Sequence, residues 1–219
     1  MSDRLLDAVL RNLNWFRSSG VMDPADGRWG VGERVVVMEG NAVADKITEA
    51  FYAWTPRDGY CVIEQRRADC NFQAAWLFLR AFEVTGSPED RATGENLLYY
   101  LYQRSGLLMQ YEPGTPHGLW QWSHIRSTPI PYFDDNAWCL AIQIAIGKRY
   151  PELDKKYKML ERAKVLAGKD VFCHAPVLRI CAGRGKPERF VERSRKCLVR
   201  QYVLSPLVFT GDHGHVCGV

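Results

Sequence analysis

An apolar helical segment, a proline-led turn and a second helical segment follow Ala75-Trp76, and the same succession follows Ala137-Trp138. This recurrence is the strongest constraint on the fold. A hairpin of two amphipathic helices carries an apolar face that it buries only against a neighbouring unit, so repeated hairpins predict a stacked array or a ring. In the first unit Phe72, Ala75, Trp76, Leu79 and Phe82 share a face and Gly86 stops the helix. Ser87-Pro88-Glu89-Asp90 then has the order of a helix start: a capping hydroxyl, proline at the first position and acids for the positive helix end. The partner helix carries Ala92, Leu97, Leu98, Leu101 and Tyr102 and ends near Gly106. In the second unit Trp138, Ala141, Ile142, Ala145 and Ile146 form the face. Its partner starts at Pro151 and runs through Leu153, Tyr157, Leu160 and Ala163 to Gly168.

Earlier in the chain Leu5, Leu6, Val9, Leu10, Leu13 and Phe16 recur at helical spacing, which predicts a helix over Asp3 to Ser18 with Trp15 on its buried side. A further helix is expected from about Ala42 to Trp54, on Val43, Ile47, Ala50, Phe51 and Trp54. The run Val35-Val36-Val37-Met38 fits either a short strand or a buried helical turn. Thr55-Pro56-Arg57-Asp58-Gly59 breaks the pattern, as do Asp23-Pro24-Ala25-Asp26-Gly27 and the glycine-rich stretch Gly27 to Glu33. The expected architecture is all-α: about three helical hairpins forming part of a toroid over residues 1–170.

Residues 171–219 differ in kind. They hold eight Arg/Lys against three Asp/Glu, four of the seven cysteines and three of the five histidines, without a sustained period. The change in composition is what a shifted reading frame or a shortened gene produces, and the absence of a hairpin pattern from the alternative frames of the encoding DNA downstream of Asp170 would remove that idea. The other reading of this segment is a metal site from Cys173, His174, Cys181, Cys197, His213, His215 and Cys217. Their spacing lacks the paired ligands of structural zinc, so no metal and no cofactor are expected, and the basic tail is expected to be poorly structured or loosely packed. In the body, 21 basic residues meet 22 acidic ones, and a neutral body offers no basic face for nucleic acid. No apolar run approaches the roughly 20 residues of a membrane span, and the charged start is unlike a signal peptide. The expectation is a cytoplasmic protein without a membrane or nucleic-acid partner, with Cys61, Cys70 and Cys139 reduced.

The long connection from about Leu107 to Phe133 is rich in aromatic residues, and loops of that length usually have a task. It delivers Tyr132-Phe133-Asp134-Asp135-Asn136-Ala137-Trp138, two adjacent carboxylates at a helix start. The residues themselves leave two readings open: first-turn acids satisfying the helix terminus, or a pair doing acid–base chemistry. Trp120, Trp122 and Tyr132 either stack on a flat ligand or seal the core, as does Trp29 on its glycine-rich loop. His124 and Asn136 offer hydrogen bonds. Arg66, Arg67, Asp69 and Asn71 stand before the Trp76 helix in the place equivalent to Asp134 and Asp135, with Glu33 a weaker candidate.

Asp134-Asp135-Asn136-Ala137-Trp138 with the apolar helix behind it resembles the six-hairpin, or (α/α)6-toroid, glycosidases, and within them the adjacent-aspartate motif of glycoside hydrolase family 76, the α-1,6-mannanases. Asn71-Phe72-Gln73-Ala74-Ala75-Trp76 and the turn Thr85-Gly86-Ser87-Pro88 are similar to hairpins of that superfamily, and the resemblance covers about residues 1–170. It implies hydrolysis of O-glycosidic bonds with Asp134 and Asp135 as the catalytic pair, and a carbohydrate substrate or ligand. Such chemistry needs one protonated and one ionised carboxyl, about 5 to 5.5 Å apart for retention or roughly 6.5 to 9.5 Å for inversion. A closed ring has six hairpins where three are visible here, which implies an open cleft, impaired activity and an apolar edge prone to self-association. Two rivals stand beside the hydrolase: a sugar epimerase on the same ring, for which only His117 and His124 are available in the body, and a helical-hairpin module that binds glycan or protein without turnover.

Overall fold

The computed structural model describes residues 3–38, 44, 46, 54–110, 118–124 and 131–168. The described chain is mostly helical, and it also contains a small sheet. Helix α1 spans Asp3–Ser18 as its periodicity requires. Leu13 is buried and Phe16 packs against the core, whereas Leu5, Leu10 and Trp15 are exposed. The expectation that Trp15 is buried is therefore corrected; its ring meets that of Phe16 in a T-shaped contact at 5.3 Å.

The all-α expectation fails at three short strands: β1 (Arg34–Val37), β2 (Trp54–Arg57) and β3 (Tyr60–Ile63). They form an antiparallel sheet in the order β1-β3-β2, with Val35 opposite Val62 and Arg57 opposite Tyr60. The valine run and Tyr60-Cys61-Val62-Ile63 are β-formers. Between β2 and β3 stands Asp58-Gly59, with Gly59 at φ 75°, a two-residue link that favours a hairpin where the sequence reading saw only a break. Pro56 has no amide hydrogen to give and sits on an edge strand, where none is needed. Trp54 begins β2 rather than ending a helix. The rest of that expected helix lies outside the described residues, apart from Ala44 and Lys46, which are helical.

Helix α2 (Ala68–Thr85) ends at Gly86, whose left-handed backbone (φ 70°) lets its N–H reach the Phe82 carbonyl. Helix α3 (Pro88–Tyr99) follows and runs on through a π-helical turn, Tyr100–Arg104. Ser87 makes no side-chain cap. The Thr85 hydroxyl instead accepts from the Ser87 N–H (3.1 Å) and donates to Asp90 (2.8 Å), while Arg17 of α1 pairs with Asp90 from the other side (2.5 Å). Gly94 lets α3 lie close on α2: a Cβ there would stand 2.7 Å from Leu79 and 3.2 Å from the Ala75 carbonyl. Gly94→Ala is expected to destabilise the fold by about 1–3 kcal/mol in urea unfolding, because the overpacked contact involves main chain as well as side chain.

Helix α4 (Phe133–Arg149) packs beside α2, and α5 (Pro151–Tyr157) returns along it. The expected continuous helix to Gly168 is interrupted at Lys158, in left-handed conformation, after which residues 159–168 are helical and Asp154 accepts from the Leu160 N–H (2.8 Å). Arg149 and Tyr150 both grip Glu83 of α2 (2.5 and 2.6 Å), fixing the two hairpins to each other. Phe72, Phe78, Leu79, Leu97, Leu98, Trp120 and Ile146 fill the core between them. Cys61 and Cys139 are buried, as small apolar residues are expected to be. Among the described residues no helix is long and apolar enough to cross a membrane. The segment 171–219, with its candidate metal ligands, lies outside the described residues, as do Tyr111 and His117.

Candidate functional site: an arginine among three carboxylates

Helices α2 and α4 begin in the same way. Each has an extended residue at its N-cap, Arg67 or Tyr132, and neither cap side chain bonds the helix. Three residues into each helix stands a fully buried asparagine. Asn71 accepts from the Val31 N–H (2.8 Å) and donates to the carbonyls of Val31 (3.3 Å) and Arg67 (2.7 Å). Asn136 accepts from the Trp120 N–H (2.8 Å) and donates to the carbonyls of Trp120 (2.9 Å) and Tyr132 (2.8 Å). Each amide thus pairs with both main-chain groups of one loop residue and ties that loop to a helix start. This equivalence differs from the one drawn through the tryptophans, since Trp76 lies eight residues beyond Ala68 and Trp138 only five beyond Phe133.

The clamps decide what Asn71 and Asn136 do: their polar atoms are spent on main chain, and neither is free for a ligand. Trp120 is likewise sealed in, 1% exposed, with its ring against the edges of Phe72 (5.0 Å) and Tyr102 (5.4 Å). All three sequence candidates are structural here. Asn136→Ala strands two buried main-chain groups of Trp120, and a loss of about 1–3 kcal/mol is expected for each orphaned group, read by denaturant unfolding.

What the clamped helix starts present is a buried ionic cluster. Arg67 donates through Nη1 to Glu33 Oε1 (3.0 Å) and through Nη2 to Asp135 Oδ1, and its Nε lies 3.3 Å from Asp69 Oδ1. That last approach is an ion pair without hydrogen-bond direction, so Nε and Oδ1 both lack a bonded partner. Arg34 adds a second guanidinium on Glu33. The side chains of Glu33, Asp69 and Asp135 are each at least nine-tenths buried, and Glu33 Oε2 and Asp135 Oδ2 are also without a partner. Contacts reaching from residue 33 through 67 to 135 are invisible in sequence, although Arg67, Asp69, Asp135 and, as a weaker candidate, Glu33 are individually legible there.

The electrostatics follow from the burial. Loss of solvent, then the charge of Asp69, pushes the Asp135 carboxyl up to about 6, against the opposing pull of Arg67. Burial also raises Asp69, which Arg67 partly offsets. Arg67 is buried too, yet Asp69, Glu33 and Asp135 together hold its guanidinium charged. Burial and the Asp69 charge raise the Cys70 thiol well beyond its ordinary range, so it stays neutral. Asp134, one residue before Asp135, is exposed. Adjacent residues at a helix start point about 100° apart, which turns one aspartate inward to Arg67 and the other to solvent.

The aromatic surroundings are divided. Trp122 lays its half-buried ring 5.9 Å from the Arg67 guanidinium, and Tyr132, 44% exposed, meets Trp122 edge-on at 5.6 Å. These two border the cluster. Trp29 stands apart from it, exposed and stacked on Arg104 (4.7 Å), with its carbonyl accepting from Arg66 Nε (2.7 Å). His124 Nδ1 accepts the Arg66 N–H (3.1 Å), so the imidazole pins the strand-to-helix link that precedes Arg67. Among the described residues no group of His, Cys, Asp or Glu is arranged to hold a metal ion. The centre of the cluster is filled by a guanidinium. A shallow depression between Lys158, Arg162 and Gly118 shares no residue with it.

Comparison with models of known families finds no match for the chain, and comparisons with curated proteins and with solved structures find none either.

Proposed function

We propose that this chain is a carbohydrate-active protein of glycoside hydrolase type, its hairpins being units of an α/α toroid and its chemistry centred on Asp134 and Asp135. One observation carries the reading: two neighbouring carboxyls are held in opposite environments, Asp135 buried with its proton retained up to about pH 6 and Asp134 exposed. Splitting the properties of two carboxyls in this way is how an acid and a base are assigned at one pH. Asp135 gives its proton to the departing glycosidic oxygen as the bond to the anomeric carbon breaks. Either Asp134 adds to that carbon and a water deprotonated by Asp135 then displaces it, releasing the sugar and reloading the acid, or Asp134 deprotonates a water that adds there, and its proton returns to Asp135 through solvent. Trp122 and Tyr132 supply faces for a sugar ring beside the pair.

A second reading, a module that binds glycan without turnover, is favoured by the Arg67–Asp135 contact, which already engages the carboxyl that hydrolysis would use. A panel of aryl glycosides and oligosaccharides, assayed with wild type, Asp134→Asn and Asp135→Asn, separates the two. Turnover by wild type that both variants lose supports the hydrolase. Binding without turnover in all three chains leaves the module.

A further inference from the structure

Asp69 has no role in the chemistry above, yet it is the charge that most opposes ionisation of Asp135 after burial itself. Around the two stand Glu33 and Arg34 from the start of β1, Arg67 from the N-cap of α2, the neutral Cys70 from its first turn, Asp134 and Asp135 from α4, and the Trp122 ring from the intervening loop. Three buried carboxylates face two guanidinium charges. Fully ionised, the cluster carries one uncompensated negative charge on carboxylates that are each at least nine-tenths buried, and a single proton makes it neutral. The geometry leaves room for that proton: among the described residues Asp135 Oδ2, Asp69 Oδ1 and Glu33 Oε2 are buried oxygens without a hydrogen-bond partner, the second of them 3.3 Å from Arg67 Nε. Both carboxylates also reach the same nitrogen, Arg67 Nη2, Asp69 at 3.5 Å and Asp135 closer.

We propose that Asp69 is a positioning residue that shares one proton with Asp135 across Arg67, with Glu33 anchoring the guanidinium from the opposite side. Like charges sharing one site do not both ionise readily, so the proton taken up from solvent as the cluster closes remains through the weakly acidic range. Asp69 thus keeps Asp135 loaded without touching the reacting atoms. Its consequence for catalysis rests on the hydrolase reading, but the proton itself is present with or without substrate.

The test uses the full-length chain with aspartate side chains carrying a 13C carboxyl label, titrated by NMR from pH 4 to 8 with no sugar present. The resonance lost in Asp135→Asn assigns that residue. In wild type it is expected to titrate near pH 6, with the Asp69 resonance responding over the same interval. In the isosteric Asp69→Asn the Asp135 midpoint is expected to fall by about one pH unit or more, and circular dichroism checks that this variant is folded. The proposal is overturned if the midpoint stays where it is without Asp69. It is equally overturned, in wild type alone, if Asp69 and Asp135 titrate independently or Asp135 ionises in the ordinary carboxylate range. A shared proton in a chain that hydrolyses no glycoside upholds this inference while removing the hydrolase reading, and hydrolysis without a shared proton does the reverse.

Discussion

Replacing Arg67 by methionine is expected to destabilise the protein by about 3–5 kcal/mol, the loss that follows when one partner of a buried ion pair is removed and the other charges stay behind. The side chain reaches Glu33, Asp69 and Asp135, and each is at least nine-tenths buried. Without it three carboxylates remain, answered among the described residues by Arg34 at Glu33. Methionine keeps much of the aliphatic stem, so the charge is tested more than the volume. The damage is not local, because the cluster joins the chain before β1 to the starts of α2 and α4. Chemical unfolding at pH 7 gives the number. A loss below about 1 kcal/mol would place Arg67 among surface pairs, which contribute little.

The same cluster sets a pH dependence whose sign can be worked out. The folded Asp135 carboxyl ionises at about 6, above its value in an unfolded chain. A raised carboxyl contributes stability that is fully present below the unfolded pKa, near 3.9, and is lost as pH rises through about 6. Asp69 acts in the same direction. Glu83 opposes them: Arg149 and Tyr150 hold it down to about 2, so its contribution is present above about 4.5 and lost as pH falls toward 2. Between about pH 4.5 and 6 the two effects do not overlap, and acidification through that window is expected to raise the melting temperature of wild type more than that of Asp135→Asn.

The second large effect concerns turnover. If Asp135 donates a proton to the leaving oxygen, Asp135→Asn removes general acid catalysis and lowers kcat/KM by about 100- to 10,000-fold. Asp134→Asn is expected to lose at least as much, since it removes the charge that the cationic transition state meets. Trp122→Ala is different, because a stacking face binds ground state and transition state alike: KM rises while kcat is largely kept. A variant series in which Asp134→Asn and Asp135→Asn alter only KM would assign both residues to binding.

The helices were readable because their apolar faces repeat over ten residues or more: α1, α2 and α4 stand within a few residues of where periodicity puts them. Of the sheet only β1 shows in the sequence, as one of two readings of the valine run, because four-residue strands have no such repeat; Asp58-Gly59, ahead of Tyr60-Cys61-Val62-Ile63, reads as an interruption beside Pro56. At the site, charge and spacing picked out Arg67, Asp69 and Asp135, but direction was hidden. Nothing in the sequence distinguishes an asparagine that faces a ligand from Asn71 or Asn136 facing a main-chain amide, or a loop tryptophan on the surface from Trp120 in the core. Glu33 shows in the sequence as a weaker candidate beside Trp29, but its pairing with Arg67, 34 residues away, does not, because no periodicity links them.

The pH dependence of kcat/KM on the best aryl glycoside of the panel tests the central claim most directly. With Asp135 as the proton donor, the rate is high while that carboxyl holds its proton and falls tenfold per pH unit above about 6. A profile that stays level from pH 5 to 8, in a wild-type chain that hydrolyses the substrate, would contradict it.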